Sequence, residues 1–128
     1  MNSMEETVYV SPLGKTWIFD IDGTLCKHNG YKLDGVDTVL PGVKDFFAQL
    51  SEEDKVIIVT SRKKEYASIT ESFLKDNGIH YDAIIYDMPY GERILINDKK
   101  PSGLITGIAV NTERDVFMQQ RFEVDPKL

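Results

Sequence analysis

The sequence predicts an α/β protein: a three-layer, Rossmann-like open sheet of mostly parallel strands, with helices on both faces and no cap domain. Three observations support this class. Short apolar runs alternate with amphipathic helical patterns, and polar residues follow the runs directly. The chain of 128 residues has the length of one domain, 1–128, and its 41% hydrophobic and 28% charged residues are an ordinary globular balance.

The strands are predicted from short runs that are apolar almost throughout. Such a run is typical of a strand that is covered on both faces of a parallel sheet. Four runs have this character: 17–19, 56–59, 83–86 and 94–96. A further run, 104–110, predicts a last strand, and Thr112 with Asp115 predicts the start of a helix before the tail.

Two helices are predicted between the first three strands. Apolar residues recur at helical spacing over 43–50, after Pro41-Gly42, and again over 66–74, before Asn77-Gly78. This alternation of strand and helix implies right-handed crossovers between parallel strands. The stretch of about 26–40 contains Asn29-Gly30 and Asp34-Gly35, which predict a turn-rich flap or hairpin after the first strand.

Composition and charge exclude several classes of function. With 15 basic against 21 acidic residues the net charge is -6, and the basic groups 62–64 and 99–100 are too small to hold nucleic acid by counterion release. No apolar stretch approaches the roughly 20 residues of a membrane span, and the first residues lack the pattern of a signal peptide. The single cysteine, Cys26, indicates a reducing compartment. We therefore expect a cytoplasmic protein that binds neither nucleic acid nor a membrane.

Polar residues stand at the carboxyl ends of the predicted strands. They are Asp20, Thr60-Ser61, Asp87 and Asn97-Asp98. In open parallel sheets ligands bind beyond this edge. We expect the first, second and fourth of these positions to converge on one pocket with carboxylates, a hydroxyl and a metal ion, and we interpret Asp87 as a turn residue.

The most informative segment is Asp20-Ile21-Asp22-Gly23-Thr24-Leu25. Residues two apart on an extended strand point to the same side, so both carboxylates face one centre. Carboxylates this close repel each other, and a divalent cation that neutralises one leaves the other for proton transfer. Two simpler interpretations are a pair of turn-forming acids and a calcium loop. The calcium loop is disfavoured because its glycine belongs at the sixth position, whereas Gly23 is the fourth residue counted from Asp20.

This segment resembles the first motif, Asp-x-Asp-Gly-Thr-Leu, of the haloacid dehalogenase-like (HAD) phosphatase superfamily. Thr60 matches the second motif and Asp98 stands where the acidic fourth motif belongs, so the resemblance covers about residues 15–100. It implies that Asp20 attacks a phosphoryl group and that Asp22 protonates the leaving oxygen and later deprotonates the attacking water. It also implies a Mg²⁺ site made by Asp20, the Asp22 carbonyl, Asp98 and water, with Thr60 and the Ser61 amide hydrogen-bonding the phosphoryl oxygens.

The sequence departs from the family at the third motif, where relatives carry a lysine. The corresponding position is Met88-Pro89. We favour Arg93 as the replacement and as a phosphate ligand. The other candidates are Lys75, Lys99 and Lys100. His28 is expected to face solvent, and Cys26 is expected to be a small buried residue, not a nucleophile.

These features predict a small Mg²⁺-dependent phosphomonoester hydrolase that works through an aspartyl phosphate. The intervals 26–59 and 61–97 are too short for the cap domains of related enzymes, so we expect either bulky substrates or a homo-oligomer whose neighbouring subunit covers the site. The first expected substrate is a small phosphorylated metabolite such as a sugar phosphate, and the next is a phosphoprotein. A second class stays open, namely a non-catalytic phosphate- or metal-binding module or a phospho-acceptor regulatory domain.

Overall fold

A computed structural model describes residues 6–128 of the chain. Its elements, in chain order, are strands and short helices separated by turns. They are β1 (Thr7–Val10), β2 (Thr16–Phe19), α1 (Gly30–Leu33), α2 (Val43–Ala48), β3 (Lys55–Val59), a 3₁₀ turn (Lys64–Tyr66), α3 (Ala67–Asp76), β4 (Ala83–Ile85) and β5 (Arg121–Val124). None of the helices in this part of the chain is long and apolar enough to cross a membrane.

The central feature is a three-stranded parallel sheet in the order β2-β3-β4. Helix α2 connects β2 to β3, and α3 connects β3 to β4. Helix α3 ends as predicted at Gly78, whose φ of 68° is the left-handed conformation that closes a helix. The predicted class, an α/β protein with an open sheet of parallel strands, is confirmed.

One face of this sheet is covered by an aromatic cluster. Phe19 of β2 and Ile58, its partner on β3, are 6% and 0% exposed. The rings of Phe46 and Phe47 from α2 lie 5.6 and 5.2 Å from the Phe19 ring, and the Phe117 ring lies 6.4 Å away. Burying aromatic rings at these distances fixes α2 against the sheet and so holds the carboxyl end of β2 in place.

The other face of the sheet is only partly covered. Ile18 of β2 is 53% exposed and Ile85 of β4 is 44% exposed. Ile57 and Val59 on β3 are half-buried. The strands are therefore more deeply buried on the first face than on the second, although the apolar runs predict burial on both.

The chain divides into two compact units. Of the described residues, one unit contains 6–13, Gly91–Asn111 and Met118–Leu128, and within it β1 and β5 form a parallel pair. The other consists of Gly14–Tyr90 and Thr112–Phe117 and contains the three-stranded sheet. The assignment of the whole chain to a single domain stays a prediction.

Two predicted strands and one predicted helix are wrong. Residues 94–96 and 104–110 have no regular structure, and Ile94 and Ile96 are 82% and 89% exposed. A run this short forms a strand only where a neighbour pairs with its backbone, and here a turn closed by the Lys100 N–H and the Leu104 carbonyl, 3.0 Å apart, follows instead. The predicted helix after Thr112 is a turn, because Asp115 has a φ of 66°.

Candidate active site

The site begins where β2 and β3 end side by side. Phe19 pairs with Ile58, so Asp20, which follows Phe19, and Thr60, which lies two residues after Ile58, leave neighbouring strands at the same edge of the sheet. Asp20 is half-buried and Thr60 is 1% exposed. The structure thus brings together the predicted nucleophile and the predicted phosphate-binding threonine.

The loop after Asp20 folds tightly on itself. The N–H groups of Thr24 and Leu25 donate to the Ile21 carbonyl at 3.1 and 2.9 Å, and the Thr24 hydroxyl donates to Asp20 Oδ2 at 3.2 Å. Gly23 has a φ of 81°, which a residue with a Cβ adopts only at a cost. These bonds hold the Asp20 carboxylate and the Asp22 backbone in one fixed turn.

Arg62, two residues beyond Thr60, holds the Asp22 side chain. Its Nε donates to Asp22 Oδ2 and its Nη2 to Asp22 Oδ1, both at 3.0 Å. The same guanidinium donates to Asp37 Oδ2 at 3.0 Å and to Asp37 Oδ1 at 2.6 Å. Its Nη1 also donates to the Thr70 hydroxyl of α3 at 3.0 Å. The Arg62 side chain is 0% exposed, so its charge is neutralised entirely by neighbours inside the protein.

Residues of the predicted flap complete this cluster. The Leu25–Lys27 and Thr38–Leu40 stretches pair as a hairpin base, with the Lys27 N–H donating to the Thr38 carbonyl at 2.9 Å. Asp37 reaches Arg62 from one side of this hairpin. The Tyr31 ring of α1 lies over the guanidinium, 4.1 Å from centroid to Cζ. Arg62 therefore ties the flap to the Asp22 carboxylate.

The ionisation of this cluster follows from its burial. Burial alone would lower the pKa of Arg62, but hydrogen bonds to Asp37 and Asp22 outweigh it, so the pKa of Arg62 is raised and the group stays charged. Burial, followed by the charge of Asp37, raises the pKa of the Cys26 thiol. Cys26 is therefore a protonated thiol, in agreement with its interpretation as a buried residue that is not a nucleophile.

Asp22, Cys26 and Asp37 form the one group of potential metal ligands found within residues 6–128. Their ligand atoms lie within 4.8 Å of one another. However, Arg62 Nη2 donates to all three of these residues, at 3.0, 3.5 and 2.6 Å. A guanidinium already occupies the space that a cation would need, and Cys26 is a neutral thiol. We interpret the group as a satisfied arginine cluster, not as a metal site.

The predicted Mg²⁺ ligands within residues 20–25 are the Asp20 carboxylate and the Asp22 backbone carbonyl, and neither belongs to the three side chains that Arg62 holds. Among the described residues no N–H or O–H donates to the Asp22 carbonyl oxygen, although the neighbouring Ile21 and Gly23 carbonyls both accept hydrogen bonds. A carbonyl oxygen and a carboxylate on one tight turn are the oxygen ligands that Mg²⁺ prefers. The residues of this unit therefore fit the predicted ion through the Asp22 backbone, with the Asp22 side chain occupied by Arg62.

Thr60 and Ser61, the predicted phosphate-binding residues of this unit, both form hydrogen bonds through their hydroxyl groups. The Thr60 hydroxyl oxygen accepts the Arg62 N–H at 3.0 Å, which leaves its own hydrogen to donate. The Ser61 hydroxyl donates to the Pro89 carbonyl at 3.1 Å. The Met88 N–H donates to the Thr60 carbonyl at 3.1 Å, so the third-motif position is tied to the second motif by its backbone.

Arg93 and Asp98 belong to the other unit. Both are exposed, and the Asp98 carbonyl accepts hydrogen bonds from Asn97 and Thr106 there. Their roles as phosphate ligand and metal ligand stay predictions, as do those of Lys99 and Lys100. Asp87 is the turn residue that the sequence predicts, because its φ is 63° and its carboxylate accepts the Lys64 N–H.

Lys75 is wrong as a replacement for the third-motif lysine. It lies near the C-terminal end of α3 and lines an open groove of about 560 Å³ with residues that include Glu71, Ile79 and Tyr81. Helix α3 runs from the carboxyl end of β3 towards the start of β4. This groove is consequently at the opposite edge of the sheet from Asp20.

Sequence reasoning missed a segment that packs on the motif loop. The Asp115 N–H donates to the Gly23 carbonyl at 2.8 Å, and Asp115 Oδ1 accepts the His28 N–H at 2.7 Å. Arg114 Cγ lies 3.2 Å from the point that a Cβ on Gly23 would occupy. His28 is half-buried instead of facing solvent, and its Nδ1 is buried with no hydrogen-bond partner among the described residues.

Comparison with known proteins gives a likeness of fold. No family model matches the chain. No curated protein matches it either. Two solved structures resemble it. A chain of the Pnkp1/Rnl/Hen1 complex is 27% identical with a TM-score of 0.50 and covers 66% of this chain, and a chain of the Pnkp1/Rnl/Hen1 RNA repair complex is 26% identical with a TM-score of 0.51 and covers 73%. In both cases this chain spans 32% of the length of the neighbour.

Proposed function

We propose that this protein is a Mg²⁺-dependent phosphomonoester hydrolase that works through an aspartyl phosphate on Asp20. The observation that carries the proposal is that Asp20 and Thr60 lie at the ends of paired parallel strands. The Asp22 carbonyl lies on the turn that follows Asp20. A nucleophile, a hydroxyl donor and an oxygen ligand for a cation then surround one point beyond the sheet.

The proposed reaction has two steps. Asp20 attacks phosphorus, the bond to the leaving oxygen breaks, and that oxygen takes a proton from Asp22. Water then attacks the aspartyl phosphate, giving its proton to Asp22, and phosphate leaves. Proton transfer of this kind contributes about a hundred- to ten-thousandfold in rate. Mg²⁺, when bound, would neutralise the charge that accumulates on the phosphoryl oxygens.

Asp22 needs a change of partner before it can act as the acid. Both of its oxygens accept hydrogen bonds from Arg62, so in this conformation the carboxylate is held by the guanidinium and is not placed to exchange a proton with a leaving group or with water. Asn29 N–H, at 3.3 Å from Oδ1, adds a further donor. We propose that substrate binding loosens the Arg62 contact, and that the flap residues held by the same guanidinium move with it.

The proposed substrate is a small phosphorylated metabolite such as a sugar phosphate, and a phosphoprotein is the next. The net charge of -6 disfavours long polyanions. The residues between the first and second motifs form one flap and α2, with no cap domain among them. In a homo-oligomer, a neighbouring subunit would cover the site. Sedimentation velocity would show whether the protein forms such an oligomer. The cytoplasm is the proposed location, because the lone Cys26 suits a reducing compartment.

The test is hydrolysis of an aryl phosphate by the purified chain, with and without Mg²⁺. Asp20→Asn should abolish turnover and leave the fold intact. Asp76→Asn, at the exposed end of α3, is the matched control and should keep full activity. Acid quench of a reaction with labelled substrate should trap label on the wild type and not on Asp20→Asn. Turnover that is independent of both Mg²⁺ and Asp20 would refute the mechanism.

A second candidate substrate is the phosphorylated end of an RNA. It is favoured by one observation, the likeness to chains of the Pnkp1/Rnl/Hen1 complex, named for RNA repair. The two candidates are separated by comparing kcat/KM for a panel of sugar phosphates with kcat/KM for a short RNA that carries a terminal phosphate. A strong fall of the RNA rate with added salt would indicate contacts to the RNA backbone as well as to its end.

A non-catalytic module or a phospho-acceptor domain is the alternative from a different class. It is favoured by the way Arg62 occupies the Asp22 carboxylate, because an aspartyl phosphate without a working base persists. A stable phosphorylated Asp20 with no multiple turnover across the panel would support this alternative over the hydrolase.

A further inference from the structure

We infer that Arg114 is a phosphate-binding residue of this site and supplies the positive charge that the third motif lacks. This inference rests on the proposed function and names a ligand within the same site. It starts from the contact between Arg114 and Gly23, inside the first motif, and from the way the segment Thr112–Phe117 is fixed there.

The position of Arg114 is set by the glycine beneath it. Its Cγ lies 3.2 Å from where a Cβ on Gly23 would be, so a side chain at this position would push the arginine stem away from the loop by a few tenths of an ångström. Gly23 follows Asp22 directly and lies within the turn that begins at Asp20. The stem of the Arg114 side chain therefore lies against the loop that carries Asp20 and Asp22.

Three contacts hold the segment that carries Arg114. The Asp115 N–H donates to the Gly23 carbonyl, and the Asp115 carboxylate accepts the His28 N–H. Two residues further on, Phe117 is 9% exposed and packs its ring 5.6 Å from that of Phe46 in the core. Asp115 adopts a left-handed φ of 66° to make both of its bonds, a conformation that costs free energy in a residue with a side chain. The backbone that follows Arg114 is therefore fixed.

The Arg114 side chain itself is exposed. Within residues 6–128 no carboxylate forms an ion pair with it, in contrast to Arg62, which is fully used by Asp22 and Asp37. Its neighbour His28 has a buried Nδ1 that lacks a hydrogen-bond partner in the same part of the chain. An exposed arginine on a fixed backbone, against the motif loop, has N–H groups that a phosphoryl oxygen would accept.

The experiment compares variants chosen to separate charge from packing. Arg114→Met keeps an apolar stem over Gly23 and removes the charge, whereas Arg114→Lys keeps a charge. Glu113→Ala is the matched control, because Glu113 is exposed in the same segment. Arg93→Ala tests the competing candidate. Thermal unfolding of each variant identifies any that fails to fold, and Arg114→Gln, which also lacks the charge, replaces Arg114→Met if that variant does.

The readouts are kcat/KM for an aryl phosphate and the Kd for inorganic phosphate measured by calorimetry. Loss of one charged hydrogen-bond donor predicts a fall in kcat/KM and a rise in Kd of about ten- to a hundredfold in Arg114→Met. Arg114→Lys should recover part of both, and Glu113→Ala should match the wild type. Equal values in Arg114→Met and Glu113→Ala would overturn the inference, as would loss confined to Arg93→Ala.

The two proposals fail separately in this design. If the wild type binds inorganic phosphate without turning over substrate, the hydrolase proposal fails and the Kd values still decide the role of Arg114. If the wild type turns over substrate and Arg114→Met does so equally well, the inference about Arg114 fails and the hydrolase stands. A wild type that neither binds phosphate nor turns over substrate overturns both.

Discussion

Replacement of Arg62 by methionine should destabilise the protein more than any other single arginine substitution in the described chain. The guanidinium has a fully buried side chain and neutralises two carboxylates, Asp22 and Asp37, whose side chains are 16% and 4% exposed. Methionine fills much of the same volume, so the change removes the charge and the hydrogen bonds and leaves little cavity. Both carboxylates then face each other without a cation.

The magnitude follows from the environment of the pair. Removal of one partner from a buried ion pair costs about 3–5 kcal/mol, because the remaining charge is left without compensation. A domain of this size has about 5–15 kcal/mol of total stability, so a large share is lost. Arg121→Met is the matched control. Arg121 is an exposed arginine whose Nη2 lies 3.8 Å from Glu123 Oε1, and surface pairs of this kind are worth about 0–1 kcal/mol.

The assay is the free energy of unfolding in urea for wild type, Arg62→Met, Asp37→Asn and the double variant. Asp37→Asn removes one of the two unpaired charges, so the double variant should be less destabilised than the sum of the single changes by about 1–3 kcal/mol. Additive effects, or a cost of Arg62→Met no greater than that of Arg121→Met, would refute the idea that the guanidinium neutralises this cluster.

The pH dependence gives an independent check. In the wild type, folding raises the pKa of Arg62. The contribution of the charged guanidinium to stability is therefore complete below the ordinary pKa of arginine and constant over the usual assay range. In Arg62→Met the two carboxylates face each other without a cation, and a proton taken up by either of them on acidification relieves the repulsion. The destabilisation should therefore shrink from about pH 7 to about pH 4, at most about 1.4 kcal/mol per pH unit for one proton. A penalty that grows on acidification contradicts this account.

Three further changes have defined outcomes. Gly23→Ala should lower the free energy of unfolding in urea by about 1–2 kcal/mol more than Gly78→Ala does. Both glycines have positive φ, but only a Cβ on Gly23 meets another side chain. Equal losses in the two variants would show that no such contact exists. Phe117→Ala should cost about 3–5 kcal/mol in the same assay, whereas Val116→Ala, which is 42% exposed before the change, should cost well under half of that. The raised pKa of Cys26 should make the reaction of its thiol with a disulfide reagent at about pH 8 at least tenfold slower in the native protein than in the unfolded one. The contribution of the protonated thiol to stability is complete at lower pH and should be lost only in strongly alkaline solution. Rapid labelling of the native protein would show an exposed thiolate.

The sequence predicts those elements of the fold whose signals are local. Strands β2, β3 and β4 and helices α2 and α3 each carry their own periodicity, and all are present. The β1–β5 pair was not predicted, because neither strand has a distinctive pattern and each depends on a partner from the opposite end of the chain. The same dependence explains why 94–96 is wrong, since an apolar triplet without a partner strand gains nothing from an extended conformation.

The site shows the same difference between features with a local signal and features that depend on distant residues. Asp20 and Thr60 were predicted to meet because strand ends in a parallel sheet are set by pairing and register. Arg62 entered the predictions only as one of the basic residues 62–64, with no role in the site, whereas it is 3% exposed. The available signal was an arginine three residues after the end of a strand, in a chain with an acid-containing flap. The flap conformation that brings Asp37 to it depends on a hairpin whose path no local pattern encodes.

The Arg62 cluster links the two function classes through the lifetime of a phosphorylated Asp20. An aspartyl phosphate is hydrolysed quickly only if Asp22 can take a proton from water, and here both Asp22 oxygens are held by Arg62. The same arginine is held by Asp37 from the flap. When the flap leaves, Arg62 loses its second carboxylate and binds Asp22 more exclusively; when Arg62 turns instead towards a phosphoryl oxygen, Asp22 becomes available as a base. Under the proposed function, the direction in which the guanidinium moves on substrate binding would thus decide between a phosphatase and a slowly dephosphorylating acceptor.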